Sequence, residues 1–332
     1  MPDDLRAHVR HIAAAAGCRD HADTLADLTL ATFVLVRDGE GRHVAQLGGD
    51  PSLPARTSWP QRRDGAPLSF LGALNLDALA ADVAAHEPHA RLHGQLLIFV
   101  APDDLLIGFG GDEQRVIDRD DMTLIHLPAN ADADLRGAPS GARVWPAATY
   151  TVSPAMPTLP DGDSQEAQDA FGVSSAGQLC EVAQALDPEE RLYGAHRLLG
   201  WATPVQNDPR LFAPSQENWT RDPDAHLRLP AMPAHPGAAA TPEQLAAHVE
   251  RIFAVMDERE RLREQPGYGM KQGSGHPWAT ASHRGWRLLA TFSSDDHHGW
   301  MWGDCGELYL LIREDDLRAG RFDRVFLTWQ CS

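Results

Sequence analysis

The chain of 332 residues carries 29 basic and 47 acidic side chains, a net charge of −18, with 43% hydrophobic and 23% charged residues. This is a globular composition with ample core, and its negative field repels phosphate backbones and anionic lipid, so neither nucleic acid nor membrane is expected as a partner. No apolar run nears the ~20 residues of a membrane helix and no export signal opens the chain, so a cytoplasmic location is expected.

In chain order, Asp3–Ala16 reads as a helix with Leu5, Val9, Ile12 and Ala16 on one face and Gly17 as its stop. Ala31–Val36 and Arg42–Leu47 flank D-G-E-G, a hairpin signal. Residues 47–60 are rich in turn formers and lead into the strand-like S-F-L-G-A-L-N-L at 69–76, and a further strand is expected over Gln95–Val100. Six prolines between Pro128 and Pro160 predict an irregular connector, and seven between Ala202 and Pro236 predict long surface loops. Gln178–Leu186 reads as a helix. A second, long helix is expected at 241–264, where Thr241 and Gln244 form a capping box and Leu245, Val249, Ile252, Phe253 and Met256 make one apolar face. Trp286–Ser293, Glu307–Arg313 and Arg324–Trp329 read as the last strands.

The two halves echo each other. G-Q-L-L-I-F-V-A-P-D-D-L (94–105) matches G-E-L-Y-L-L-I-R-E-D-D-L (306–317), F-L-G-A-L-N-L-D (70–77) matches L-L-A-T-F-S-S-D (288–295), and L-G-G-D-P (47–51) matches L-G-W-A-T-P (199–204). The fold expected is α+β, mostly antiparallel sheets built from two pseudo-repeats, with peripheral helices and long proline-rich loops. Residues 1–30 would form an N-terminal helical segment, 31–150 the first repeat and 151–332 the second, all within one compact unit. Asp103/Asp104 and Asp315/Asp316 are expected to cap the turns that follow the paired strands. Cys18, Cys180, Cys305 and Cys331 form no C-x-x-C pair and are expected to be free thiols.

The segments L-G-G-D-P-S-L-P, G-A-P-L-S-F-L-G-A-L-N-L, G-Q-L-L-I-F-V, M-W-G-D-C-G-E-L-Y-L-L-I and the terminal W-Q-C together resemble the YwqG-like family of bacterial proteins, over residues 45–332. The resemblance implies a compact α+β fold rich in antiparallel strands, no established biochemical activity, and a loose association with toxin–immunity gene neighbourhoods. The paired His297–His298 and the prolines of 202–236 depart from the family pattern.

The densest chemistry lies in D-D-H-H-G-W-M-W-G-D-C-G at 295–306. A metal reading takes Asp295, His297 or His298, and Asp304 as ligands, with Cys305 a further donor. Against it, adjacent histidines on an extended segment face opposite sides. The competing reading is a strand–turn–strand link in which Asp295 and Asp296 bond turn amides, Gly299 and Gly303 allow the bends, and Trp300 and Trp302 pack on one side. No metal or other cofactor is favoured. Cys305 as a nucleophile lacks an orienting third group and would begin a core strand, and G-V-S-S-A-G (172–177) misses the serine-elbow spacing. His196 and His283 read as hydrogen-bonded structural histidines. G-Y-G-M-K-Q-G-S-G (267–275) fails the phosphate-loop spacing and follows a helix, so it reads as a mobile loop, with a flap carrying Lys271, the single lysine, as the alternative. The candidate binding residues are therefore Trp59, Trp201, Asp295, Asp296, Trp300, Trp302, Asp304 and Lys271. The function expected is non-catalytic binding of a basic protein, in the manner of an immunity protein that neutralises a toxin. The alternatives are a metal-dependent hydrolase or small-ligand enzyme using residues 295–304, and a peptide or metabolite sensor.

Overall fold

The computed structural model describes residues 2–101, 121–162, 164–171, 176–206, 208–213 and 284–331, with scattered positions between 241 and 255. The chain divides into two compact units, Met1–Arg210 with Arg284–Ser332, and Leu211–His283. In the second unit, the expected capping box is present: the Thr241 amide donates to Gln244 Oε1 at 2.8 Å and the Gln244 amide to Thr241 Oγ1 at 3.3 Å. The apolar face expected at Leu245, Val249, Ile252, Phe253 and Met256 lies outside the described residues, as do Asp103, Asp104, His283 and Lys271.

The first unit opens with helices α1 (Asp3–Ala15) and α2 (Ala22–Leu28), followed by strands β1 (Leu30–Arg37), β2 (Ala45–Leu47), β3 (Ser52–Leu53) and β4 (Ser69–Asn75). Helix α3 (Leu76–Val83) leads to β5 (Gln95–Val100), β6 (Met122–Leu127), β7 (Asp134–Leu135), β8 (Ala148–Val152) and β9 (Met156–Thr158). Helices α4 (Gln165–Phe171) and α5 (Ala176–Leu186), β10 (Arg197–Leu198), β11 (Trp286–Ser293), β12 (Glu307–Arg313), α6 (Glu314–Ala319) and β13 (Phe326–Gln330) complete it. The strands join in an antiparallel sheet of order β13-β12-β11-β10-β1-β8-β2-β4-β5-β6, with β9 also pairing β1, and β3 pairs β7 apart from it. The fold is α+β. None of the described helices is long and apolar enough to cross a membrane.

Alternation along the strands sets the core. Phe33, Leu35, Leu198, Ala290, Phe292, Leu308, Leu310 and Leu327 belong to one large apolar cluster with Trp145, Trp300 and Trp302. A second cluster, Val9, Leu25, Leu159, Leu179 and Val182, ties α1, α2 and α5 together beside β9. A third, with Leu53, Phe70, Leu97 and Phe99, covers β4 and β5.

Two expectations are corrected. The D-G-E-G segment does not close a hairpin, because β8 lies between β1 and β2 and pairs with both. The ends of that segment bond to β8, through the Asp38 amide to Thr149 O at 2.9 Å and the Val44 amide to Tyr150 O at 2.8 Å. The proline-rich connector at 128–160 in turn contains β8 and β9, both partners of β1. Pro146 and Pro154 flank β8 and do not enter it, so its ladder loses no donor.

The paired segments of the sequence share backbone features. A β-bulge interrupts β4–β5 between Phe70 and Gly72 and β11–β12 between Leu288 and Ala290. After each bulged strand an amide bonds back at 2.9 Å, Leu76 to Gly94 O and Ser294 to Gly306 O. After β2 and β10, consecutive residues turn left-handed, Gly48 (φ 67°) with Gly49 (φ 74°) and Leu199 (φ 59°) with Gly200 (φ 78°).

Candidate functional site

The 295–306 segment is a connection between β11 and β12, tightly folded by its own side chains. The amides and carbonyls of Asp295 and Trp300 bond each other, at 3.0 and 2.9 Å, closing a turn whose last residue is Gly299 at φ 66°. Asp295 Oδ1 accepts the His297 amide at 2.6 Å, the local aspartate turn that its position suggests. Ser294 Oγ accepts the Trp302 amide at 2.9 Å and donates to Gly306 O at 3.0 Å, so the segment beyond Trp300 is fixed as well.

Strand-like alternation then sorts the ligand candidates. His298, Trp300 and Trp302 turn inward and are buried, whereas Asp296, His297, Asp304 and Cys305 are exposed. Of the two adjacent histidines, one joins the interior, as expected. Cys305 does not sit in the core, in contrast to the expectation: its φ of 53° places it in the left-handed turn before β12.

Three side chains that carry metal-type donors converge, His196, Asp295 and His298, with one donor atom of each within 4.8 Å of the others. His196 comes from the residue preceding β10. Its Nδ1 accepts the Ser293 amide at 3.2 Å, which places its proton on Nε2, and Nε2 donates to Asp295 Oδ2 at 3.0 Å. His298 has the opposite tautomer. Its Nδ1 donates to Pro146 O at 2.7 Å, and its Nε2 accepts the Tyr150 hydroxyl at 2.7 Å. The His298 ring also stacks on Trp300, with centroids 4.4 Å apart, and Trp145 meets Trp300 edge-on at 5.9 Å.

These contacts set the charges. The His196 hydrogen bond, reinforced by the His297 amide, holds the Asp295 carboxyl well below the usual carboxylate range against the opposing effect of burial. Burial pushes His298 down to about 4, so it is neutral at pH 7. Burial, with the Asp295 charge beside it, pushes the Tyr150 phenol up to about 12. The cluster therefore contains one anion, held by a donor that has no lone pair to spare.

That arrangement fits a hydrogen-bond network better than a metal centre. Donors around a tetrahedral zinc lie about 3.3 to 3.6 Å apart, at ~2.0–2.2 Å from the ion. The lone pair of His196 is occupied by the Ser293 amide, and coordination through Nε2 requires the proton to move to Nδ1, which breaks that bond. His298 has the backbone-carbonyl partner typical of a ligand histidine, but Tyr150 occupies its other nitrogen.

The other sequence candidates lie elsewhere. Trp59 is half-buried, donates Nε1–H to Leu68 O at 2.8 Å and meets Phe99 edge-on. Trp201 is buried, donates to Leu28 O at 2.7 Å and has the Arg210 guanidinium over its ring. These two and the Trp300–Trp302 pair are separate packing features, and Asp296 and Asp304 are on the surface of the turn. Tyr150 and Pro146 were not legible as site residues, because they come from the far strand β8 and the residues just before it, and nothing local marks them. Only the histidine preceding R-L-L-G signals His196.

A family model described as a domain of unknown function, DUF1963, matches residues 45–331. The chain belongs to the DUF1963 family. No curated protein matches it. The matched DUF1963 region contains all the residues of this cluster, from Pro146 and Tyr150 to His298.

Proposed function

We propose that this DUF1963 protein works by binding, without catalysis of its own, and that its partner is a basic protein. The model is an immunity protein masking a cationic toxin in the cytoplasm. The observation that carries the reading is the charge of −18, which accelerates encounter with a cationic partner and disfavours polyanions. The closed network of His196, Asp295, His298 and Tyr150 supports it from the other side, since each donor and acceptor there is engaged in holding two strand connections together. With Trp201, Trp300 and Trp302 buried, the apolar contacts of such a surface fall to exposed side chains such as Tyr193, Leu135, Val144 and Met301.

Within DUF1963, the motifs favour the YwqG-like kind, and the matching bulges and left-handed pairs support descent from a duplicated unit. In the strand register Gly48–Gly49 then answers Leu199–Gly200, one residue away from the sequence match.

The test is purification of the untagged protein from its own cells at low salt, followed by titration of any stoichiometric companion at rising ionic strength. A basic protein in equimolar amount is expected, with affinity falling steeply between about 0.05 and 0.5 M salt as the ~10 Å screening length shortens. A companion that is acidic, or one held equally at both salt concentrations, refutes the electrostatic reading.

A further inference from the structure

The two faces of the β10–β13 region differ sharply. One is the apolar core. On the other, Arg197, Thr291, Tyr309 and Thr328 stand in register across four strands, with Ser293, Glu307 and Gln330 in the neighbouring row. All are buried, and Arg197 is fully so, at 0% exposure.

Most polar groups of this face are matched. The Tyr309 hydroxyl donates to Thr203 O at 3.0 Å, Gln330 Oε1 accepts the Val205 and Gln206 amides at 3.1 Å, and Ser293 Oγ donates to Glu307 Oε1 at 3.1 Å. The segment 203–206 is thereby pinned across the face. Apart from the Trp286 Nε1–H farther along β11, the exceptions are concentrated in three neighbouring side chains. All three guanidinium nitrogens of Arg197, the Thr291 hydroxyl and Glu307 Oε2 are buried without a well-formed hydrogen bond, although the Arg197 charge and the Tyr309 hydroxyl both act on the Glu307 carboxylate.

Buried polar groups are paired in folded proteins, and a guanidinium keeps its charge even when desolvated. A planar five-donor fork with no well-placed acceptor, near a carboxylate oxygen with no well-placed donor, is half of a recognition site on each side. The corresponding row of the first half has no such pair. There Gln46, Ala73 and Leu97 stand in register beside Asn75 and Gln95, and they line an open cleft of about 240 Å³. Neutral Gln46 and Gln95 occupy the places that Arg197 and Glu307 take in the second half.

The sign of the ligand follows from the pair. A net anion would be drawn to Arg197 and repelled by Glu307, a net cation the reverse, and a molecule bearing both charges satisfies both. We propose that the Arg197–Thr291–Glu307 face is a binding site for a small zwitterion of the free α-amino-acid class. The ligand's carboxylate is forked on Arg197 and accepts the Thr291 hydroxyl, and its ammonium donates to Glu307 Oε2. The site is independent of any protein partner, and entry requires release of the 203–206 segment.

The experiment uses the full-length protein, dialysed extensively. Its thermal unfolding is followed with each of the twenty common L-amino acids in turn, and with acetate and methylammonium as half-ligands. At least one amino acid is expected to raise the unfolding temperature, with neither half-ligand doing so. Binding by calorimetry is expected to weaken about tenfold or more in Glu307→Gln, the loss of one charged hydrogen bond. Thr291→Val, nearly isosteric, serves if Glu307→Gln does not fold, and is expected to weaken binding as well. The proposal is overturned if no amino acid shifts the wild-type protein, if acetate alone shifts it as much, or if folded Glu307→Gln or Thr291→Val binds as tightly as wild type. An absence of any shift would mean that ordered water alone occupies the face.

Discussion

The neutral, buried His298 makes a pH-dependent contribution to stability whose size follows from its surroundings. Its folded-state pKa is lowered from 6.5 to about 4, chiefly by burial, so the unfolded chain holds the proton more tightly. Stability from this group is fully present above pH 6.5 and is lost as the pH falls toward 4, amounting to about 2 kcal/mol by about pH 4.5. His86 is also lowered by burial and acts in the same direction, so the wild-type slope alone does not isolate His298. The Asp295 carboxyl, held below the usual range, begins to lose its contribution only below about pH 4 and does not interfere. The comparison is therefore with His298→Asn, whose side-chain nitrogen retains the bond to Pro146 O and leaves Tyr150 without an acceptor. At pH 7.5 the variant is expected to be less stable by about 1–3 kcal/mol, the cost of an orphaned buried hydroxyl. Urea unfolding at a series of pH values should then show the gap closing by about 2 kcal/mol as the pH falls to about 4.5. A gap that stays constant across that range would show that His298 is not buried as a neutral base against Tyr150 and Trp300.

Glycine substitutions separate close approach from backbone strain. Gly48 and Gly299 have nearly the same left-handed φ, 67° and 66°, but a Cβ at Gly48 would fall on the Pro146 carbonyl while one at Gly299 meets nothing within 4 Å. Gly299→Ala should cost about 1–2 kcal/mol and Gly48→Ala at least ~2 kcal/mol more, read from urea midpoints, and equal losses would contradict the packing of Trp145–Pro146 onto this turn. Elemental analysis of untagged protein prepared without chelators should give well below one equivalent of zinc or iron. A full equivalent that disappears in His298→Ala would overturn the assignment of the histidine cluster as a hydrogen-bond network.

Strands β4, β5, β11 and β12 were legible because their apolar runs are strand-length and bounded by turn residues. The 295–300 turn was legible too, since Asp–x–His and glycine sit where a tight connection needs them. The sheet order was not. An apparent hairpin at 31–47 is split by β8 because local sequence carries no information about a strand arriving a hundred residues later, and the prolines flanking β8 disguise it as connector. The candidate site was half visible for the same reason: Asp295 and His298 share one segment, whereas His196 and Tyr150 reach it only through pairing of β10 and β8 with β1. Tryptophans in turn-rich segments suggested a surface, but Trp300 and Trp302 alternate into the core, where their area is better used. Arg197 carried no signal, since an arginine opening a two-residue strand looks like an ordinary exposed one.

The placement of β1 in mid-sheet also constrains how the chain can be made. Its hydrogen-bonding edges are filled by Tyr150–Val152, Met156–Thr158 and Arg197–Leu198, all synthesised long after Leu30–Arg37 has left the ribosome. During that interval T-F-V-L-V is a β-branched, apolar segment with neither edge occupied, the kind of sequence that associates with other nascent chains. Flanking Arg37 and Asp38 supply charge at one end only. Translation speed between residues 38 and 198, and the availability of a chaperone during it, should therefore govern the soluble yield of this protein more than its final stability does.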